Sequence, residues 1–154
     1  MKRMIAAILL AVLLFNTAAA AETTAWILCK PDSFVFARRN PAKQALELGR
    51  LELGDKVTLT GKKKNGYAEC SGLTFEFQSG WIHTGYLVYD KTEKDGGLYR
   101  NCAHGRTALR RWVDGPRRAW ATENTTFRVY AKSAEWAVTS KGFIRVEFIE
   151  PEGE

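Results

Sequence analysis

Cys102 and His104 stand two residues apart, the nearest this chain comes to a thiol nucleophile beside an imidazole base. Thiol catalysis needs a lowered thiol pKa and a third group that orients the base. Neither a helix start nor an orienting acid is evident around Cys102, and His83 lies in another part of the chain, so no catalytic residue is assigned. A zinc site fares no better, because no Cys-x-x-Cys or His-x-x-x-His spacing is present. His83 is instead expected on the outer face of a strand, solvated or lightly hydrogen-bonded. Glu69, Glu76, Glu135 and Glu147 are too scattered, on modules too small to enclose a sugar, to serve as paired glycosidase carboxylates. The expectation is a protein without catalytic residues, metal or cofactor.

Recognition chemistry is better represented. Arg106, Arg110, Arg111, Trp112, Arg117, Arg118 and Trp120 crowd fifteen residues around the turn Val113 to Pro116. A guanidinium offers a planar fork to carboxylate or phosphate, and an indole stacks on sugar rings or bases. Arg110, Arg111, Trp112, Arg117 and Arg118 are therefore candidate ligand-binding residues. The competing reading makes Trp120 a core residue and the arginines a solvated loop. Charge favours the same region: residues 100–149 hold ten basic and four acidic residues, whereas residues 22–90 hold nine and eight.

The elements that must position these residues come in two sets. Gly80-Trp81-Ile82, then Tyr86-Leu87, recurs as Gly142-Phe143-Ile144, then Phe148-Ile149. Each copy closes a stretch of short strands and turns, which is the mark of a tandem repeat. The first copy reads as strands Val35 to Arg38, Lys56 to Thr60, Tyr67 to Cys70 and Gly80 to His83. The second reads as Thr107 to Arg110, Thr126 to Tyr130, Glu135 to Thr139 and Gly142 to Val146. Alternation turns Val35, Ala37, Val57, Leu59 and Ile82 to one face, with Thr107, Leu109, Phe127, Val129 and Ile144 as counterparts. Leu53-Gly54-Asp55, Lys64-Asn65-Gly66 and Asp114-Gly115-Pro116 are tight-turn signals, Asn-Gly being the strongest for a hairpin. The first copy has an insertion at about Gly72 to Ser79, whose Phe75 and Phe77 are expected to cover an edge or a neighbouring surface.

The N-terminus is read as an export signal. Lys2 and Arg3 precede an apolar run of 12 residues, Met4 to Phe15, and Ala18 to Ala21 supply a small-residue cleavage site. The run is shorter than the roughly 20 residues of a spanning helix, so no membrane span is expected once the signal is removed. The division is then 1–21 signal peptide, 22–90 first module, 91–97 linker and 98–154 second module. Without Lys2 and Arg3, 21 basic residues remain against 17 acidic, a net charge of +4.

The order of a strand ending in Arg, Gly-Asp-x-Val before a second, Asn-Gly-Tyr opening a third, and Gly-Trp-Ile with a closing Tyr-Leu resembles the bacterial SH3-like domain family. The likeness covers Trp26 to Val88 and, more loosely, Tyr99 to Glu150, where Asn124-Thr125-Thr126 replaces the Gly-Asp step and Phe143 the Trp. It implies an all-β chain of two small SH3-like β-barrels in tandem, each of five or six strands. It also implies an exported, cell-surface or periplasmic place, and commonly a cell-wall polymer or peptide as ligand.

Within that frame, two more features matter. Cys29 aligns near Asn101 and Cys70 with Thr139, so the second copy lacks both cysteines together, and a Cys29–Cys70 disulfide is expected with Cys102 unpaired; the alternative is three buried thiols. Outward parity also sets Trp81 beside Tyr67, and Phe143 beside Trp136, as aromatic shelves that are either ligand grooves or the contact between the copies. Tyr67, Trp81 and Trp136 join the candidate ligand residues on that ground. The function this supports is non-catalytic recognition of an envelope glycan or peptide. The alternative is an interaction protein docking onto another exported protein, and nucleic acid is the weakest candidate partner.

Overall fold

Alternating side chains, turned by glycine and asparagine at several corners, build the described chain mainly into short strands. The computed structural model describes residues 22–73 and 78–153. In the first half they form β1 (Thr23–Ile27), β2 (Val35–Arg38), β3 (Glu47–Leu51), β4 (Lys56–Lys64), β5 (Tyr67–Ser71), β6 (Ser79–His83) and β7 (Leu87–Val88). These give one antiparallel sheet in the order β3-β2-β6-β5-β4-β1-β7. The second half follows with β8 (Glu93–Lys94), β9 (Leu98–Asn101), β10 (Arg106–Arg110), β11 (Arg117–Thr122), β12 (Thr126–Lys132), β13 (Trp136–Thr139), β14 (Phe143–Arg145) and β15 (Ile149–Pro151). Its sheet runs β11-β10-β14-β13-β12-β9-β15, with β8 added against β12. The fold is all-β, and each order is a path with two ends.

The two orders match strand for strand, and so do their irregularities. Arg38 pairs with Trp81 where Arg110 pairs with Phe143. Ala68 faces Ile82 where Ala137 faces Ile144. The register slips after Ala37 and after Leu109, and again after Leu59 and after Val129. A short 3-10 turn precedes the last strand of each half, Thr84–Tyr86 and Val146–Phe148. Even a side-chain bond recurs: the Arg38 guanidinium donates to the Ala45 carbonyl at 2.9 Å, and that of Arg110 to the Gly115 carbonyl at 2.7 Å. Both close the loop that follows their strand.

All ten residues expected to face inward are buried. Val35, Ala37, Val57, Leu59 and Ile82 sit in the first core with Ala25, Ile27, Leu51 and Leu87. Leu109, Phe127, Val129 and Ile144 sit in the second with Ala121, Ala137 and Ile149. The β4–β5 hairpin turns on Asn65 and Gly66, both at positive φ (51° and 77°), the requirement that makes Asn-Gly a hairpin signal.

Three expectations change. The seven strands of each path exceed the five or six implied by the resemblance. The polar stretch around residues 91–97 is not a bare linker, since Glu93 and Lys94 pair with Lys132 and Ala131. Asp95 there accepts from the Gly96 and Gly97 amides at 2.7 and 2.8 Å, from the Tyr99 hydroxyl at 2.8 Å, and meets the Lys132 ammonium at 3.1 Å. The third change is that Cys29 and Cys70 are not bridged: all three cysteines are thiols. Cys29 points its Sγ at the Ser33 carbonyl, 3.6 Å away, while Cys70 donates to the Gly80 carbonyl at 3.0 Å. Thr139 makes the same bond to Gly142 at 2.8 Å, so Cys70 and Thr139 share a role that needs only a donor. Ile27 pairs with Leu87 as Asn101 pairs with Ile149, which makes Asn101 the counterpart of Ile27 and leaves Cys29 opposite Ala103. The expected export signal and Phe75 and Phe77 lie outside the described residues, and among the described residues no helix is long and apolar enough to cross a membrane.

Candidate binding groove at the junction

The two halves meet through residues that alternation turns away from their own cores. Trp136, Val138 and Phe143 of the second half pack with Leu28 and Val88 of the first, flanked by Trp26, Tyr86, Trp112 and Val113. The aromatic shelf of the second half is therefore the contact between the copies. Trp136 is only 3 % exposed, and Arg145 caps its ring at 4.6 Å. Trp136, a candidate ligand residue by its parity, packs against the other half and also lines a second groove at the junction.

Trp112 completes this contact. Its carbonyl accepts from Gly115, and the next amide, Val113, donates to the Gly85 carbonyl at 2.9 Å. The side chain of Trp112 then lies so close to Gly85 and Gly115 that a Cβ on either would come within 3 Å of three of its atoms. Only glycine admits the ring at these two points.

The shelf of the first half stays open. Phe34, Val35, Phe36, Arg38, Lys43, Tyr67, His83, Tyr86 and Trp112 line a groove of about 350 Å³. Its aromatic wall is assembled from both halves. His83 meets Tyr67 edge-on at 5.3 Å, Trp112 edge-on at 5.0 Å and Tyr86 at 5.8 Å. The Gly85 amide donates to His83 Nδ1 at 3.1 Å, which requires that nitrogen unprotonated and leaves Nε2 to carry the proton of the neutral ring. Burial lowers the His83 pKa below its ordinary value, and burial raises that of the Tyr86 hydroxyl. Phe34 and Phe36 meet edge-on at 5.0 Å, with Arg50 over Phe34 at 4.3 Å and Arg38 over Phe36 at 5.2 Å. Arg38 is also tied to Glu47 at 3.3 Å. Among the described residues no carboxylate lines the groove, which presents rings with Arg38 and Lys43 as its charges.

A second groove at the junction, about 310 Å³, carries the opposite chemistry, with Asp90, Asp114 and Glu135 against Lys63. Arg145 neutralises part of it, bonding Glu135 at 2.7 Å and Asp114 at 3.4 Å.

Of the ligand residues expected from sequence, Tyr67 and Trp112 reach the groove. Trp81 stays on the outer face between Arg38 and Glu69, outside it. Arg110 is spent on the Gly115 carbonyl. Arg111 and Arg118 are exposed, and Arg117 stacks on Trp120 at 4.5 Å. Trp120 itself is 47 % exposed, not core, because its neighbour Ala121 takes the inward position on β11. Sequence reading missed Phe34, Phe36 and His83 as groove residues. The signal was present: with Val35 inward, Phe34 and Phe36 both had to point out.

Among the described residues, no group of three or more His, Cys, Asp or Glu side chains is placed to hold a metal ion. Burial pushes the thiols of Cys29 and Cys70 up to about 11 and about 12, Cys29 with help from Asp55 and Glu52, which keeps both protonated near neutral pH.

No protein-family model matches the chain, and no curated protein is similar to it. Among solved structures it is similar to NlpC1 from Trichomonas vaginalis, at 14% identity and a TM-score of 0.36, over 88% of this chain. It is similar also to NlpC2 from Trichomonas vaginalis, at 13% identity and a TM-score of 0.35, over 85% of this chain. The chain spans about half of each of those two, 48%. It is similar as well to "Endolysin LysPBC5 CBD", over 86% of this chain and 96% of that one, at 8% identity and a TM-score of 0.32. Scores this low do not establish a shared fold.

Proposed function

We propose that this chain is an exported, non-catalytic binding protein, two SH3-like modules in tandem that hold an envelope glycan or peptide in the groove between them. The observation that carries this is the groove itself: Phe36, Tyr67, His83 and Tyr86 of one half and Trp112 of the other form its wall, with Arg38 and Lys43 at hand. Aromatic faces suit the apolar faces of sugar rings and of peptide side chains, and the two cations suit a carboxylate. The matching strand orders and matching register slips of the halves favour the tandem reading. The buried, protonated thiols of Cys29 and Cys70 favour binding over nucleophilic catalysis.

The test is retention on purified, insoluble envelope material, read for the unaltered protein and for Phe36→Ala and Lys43→Gln. Both residues line the groove, Lys43 at the surface, and neither belongs to a core, so both variants should fold. Each should lower retention several-fold. Equal retention by all three proteins would remove the groove from the function, and capture of a single exported protein in place of the polymer would favour docking.

A further inference from the structure

The largest tryptophan surface on the molecule lies away from the groove. Trp120 on β11 is 47 % exposed. Two guanidiniums are held against it: Arg117 with its Cζ 4.5 Å from the ring centroid, and Arg106, from the neighbouring β10, at 5.5 Å. Among the described residues neither arginine has a carboxylate partner or a hydrogen bond. Each guanidinium has five N–H donors, and attraction to a ring spends none of them. Arg118, next to Arg117 at the bulge of β11, is exposed as well. The one acid of the β10–β11 loop, Asp114, is engaged by Arg145 at 3.4 Å.

The first half repeats the combination at the equivalent hairpin with the partners exchanged. There Phe36 pairs with Arg50 across β2–β3, where Ala108 pairs with Trp120 across β10–β11. Arg50 sits over Phe34 at 4.3 Å and over Phe36 at 5.8 Å. Ring and guanidinium thus meet on the outer face of the same hairpin twice, by different residues. In the first half these rings belong to the groove, whereas none of Arg106, Arg117 and Trp120 lines it.

We propose that the β10–β11 hairpin is a second binding site, for a polymer of repeating phosphate or carboxylate groups. The indole orders the two guanidiniums, Arg117 from β11 and Arg106 from β10, so that each can take one anion of the chain. A guanidinium fork takes either anion in two parallel hydrogen bonds. Nucleic acid is disfavoured as the occupant because the indole face already holds guanidiniums and is not free to stack on a base. This site does not depend on the groove: either can fail while the other stands.

Fluorescence anisotropy of the purified protein with labelled polyphosphate, poly-glutamate and a single-stranded oligonucleotide of matched charge tests it. Trp120→Ala keeps every charge and should weaken polyphosphate or poly-glutamate binding about fivefold. Arg106→Gln with Arg117→Gln should weaken it further and lower the slope of log affinity against log salt by about 1.5. Lys64→Gln with Lys141→Gln removes the same charge from exposed positions elsewhere and should cost less than about threefold. Binding of polyphosphate alone, or of poly-glutamate alone, supports the site and names its anion. Equal losses in the lysine and arginine pairs would reduce the effect to net charge and overturn the proposal, as would unchanged binding in both hairpin variants. Tighter binding of the oligonucleotide, lost in Trp120→Ala, would overturn it in favour of base stacking. Should Trp120→Ala fail to fold, the arginine pair decides.

Discussion

Trp112 of the second half rests directly on Gly85 of the first, with no room for a Cβ between them. The adjoining Val113 amide bonds the Gly85 carbonyl at 2.9 Å, so one residue step fixes both the backbone and the ring of the junction. The same ring walls the groove, which makes the arrangement of the halves a condition of the site.

Gly85→Ala should therefore disturb binding and stability together. The new methyl meets the root of the indole, Cβ and Cγ as well as Cδ1, which cannot swing aside as a side-chain tip could. Overpacking of this kind costs about 1–3 kcal/mol. Thermal unfolding and retention on envelope material should both fall, and an unchanged melting temperature would mean that the ring yields freely.

Trp136 and Trp120 should respond in opposite ways. Trp136→Ala empties a buried site between the halves and should cost about 3–5 kcal/mol, whereas Trp120→Ala trims an exposed ring and should cost less than about 1 kcal/mol. Denaturant unfolding of the two variants reads the difference directly.

His83 should make the junction weaken in acid. Its pKa is lowered in the folded protein by burial, so the unfolded chain binds a proton more readily. Stability is then fully present above the unfolded value, about 6.5, and is lost as pH falls from there toward the folded pKa. Protonation would also cost the bond from Gly85 to Nδ1. His83→Asn, whose side chain does not titrate, should flatten unfolding midpoints measured between about pH 7 and pH 5; the same slope in both proteins would clear His83 of the effect.

Asp95 governs the entry to the second half. Burial pushes its carboxyl up, but the Gly97 and Gly96 amides, the Tyr99 hydroxyl and the Lys132 ammonium together hold it well below the usual carboxylate range. Its stabilising share is present above the unfolded pKa, about 3.9, and disappears as pH falls below it. Asp95→Asn should cost on the order of 2 kcal/mol at neutral pH and less at pH 2–3, where the unfolded chain's carboxyl is already protonated and part of the share is gone. An equal loss at both pH values would assign the effect to packing.

Thiol counting should find no bridge. Cys102 should react with an exposed-thiol reagent in the folded protein, whereas Cys29 and Cys70, both buried, should react only on unfolding. A Cys29–Cys70 peptide in a non-reducing map would contradict this arrangement.

The strands of the sheet centres were legible in the chain itself. Val35, Ala37, Leu109 and Val129 fall at every second position of their strands because one face is buried, and Asn65-Gly66 marks its hairpin because few other pairs reach positive φ twice. The twofold phrase likewise carries the equivalence of Arg38 with Arg110 and of Trp81 with Phe143. By contrast β3 and β11 were not legible. Each ends its sheet with one neighbour only, and Arg117 to Thr122 buries a single side chain, Ala121, so no alternation is imposed. Parity also tells which residues leave a core but not what then covers them. Trp136 and Tyr67 hold equivalent outward positions, yet Leu28 and Val88 pack with the first, whereas the second shares its groove with Phe36, His83 and Trp112. That difference belongs to the docking of one sheet on another, a contact between residues far apart in the chain that spacing along it cannot encode.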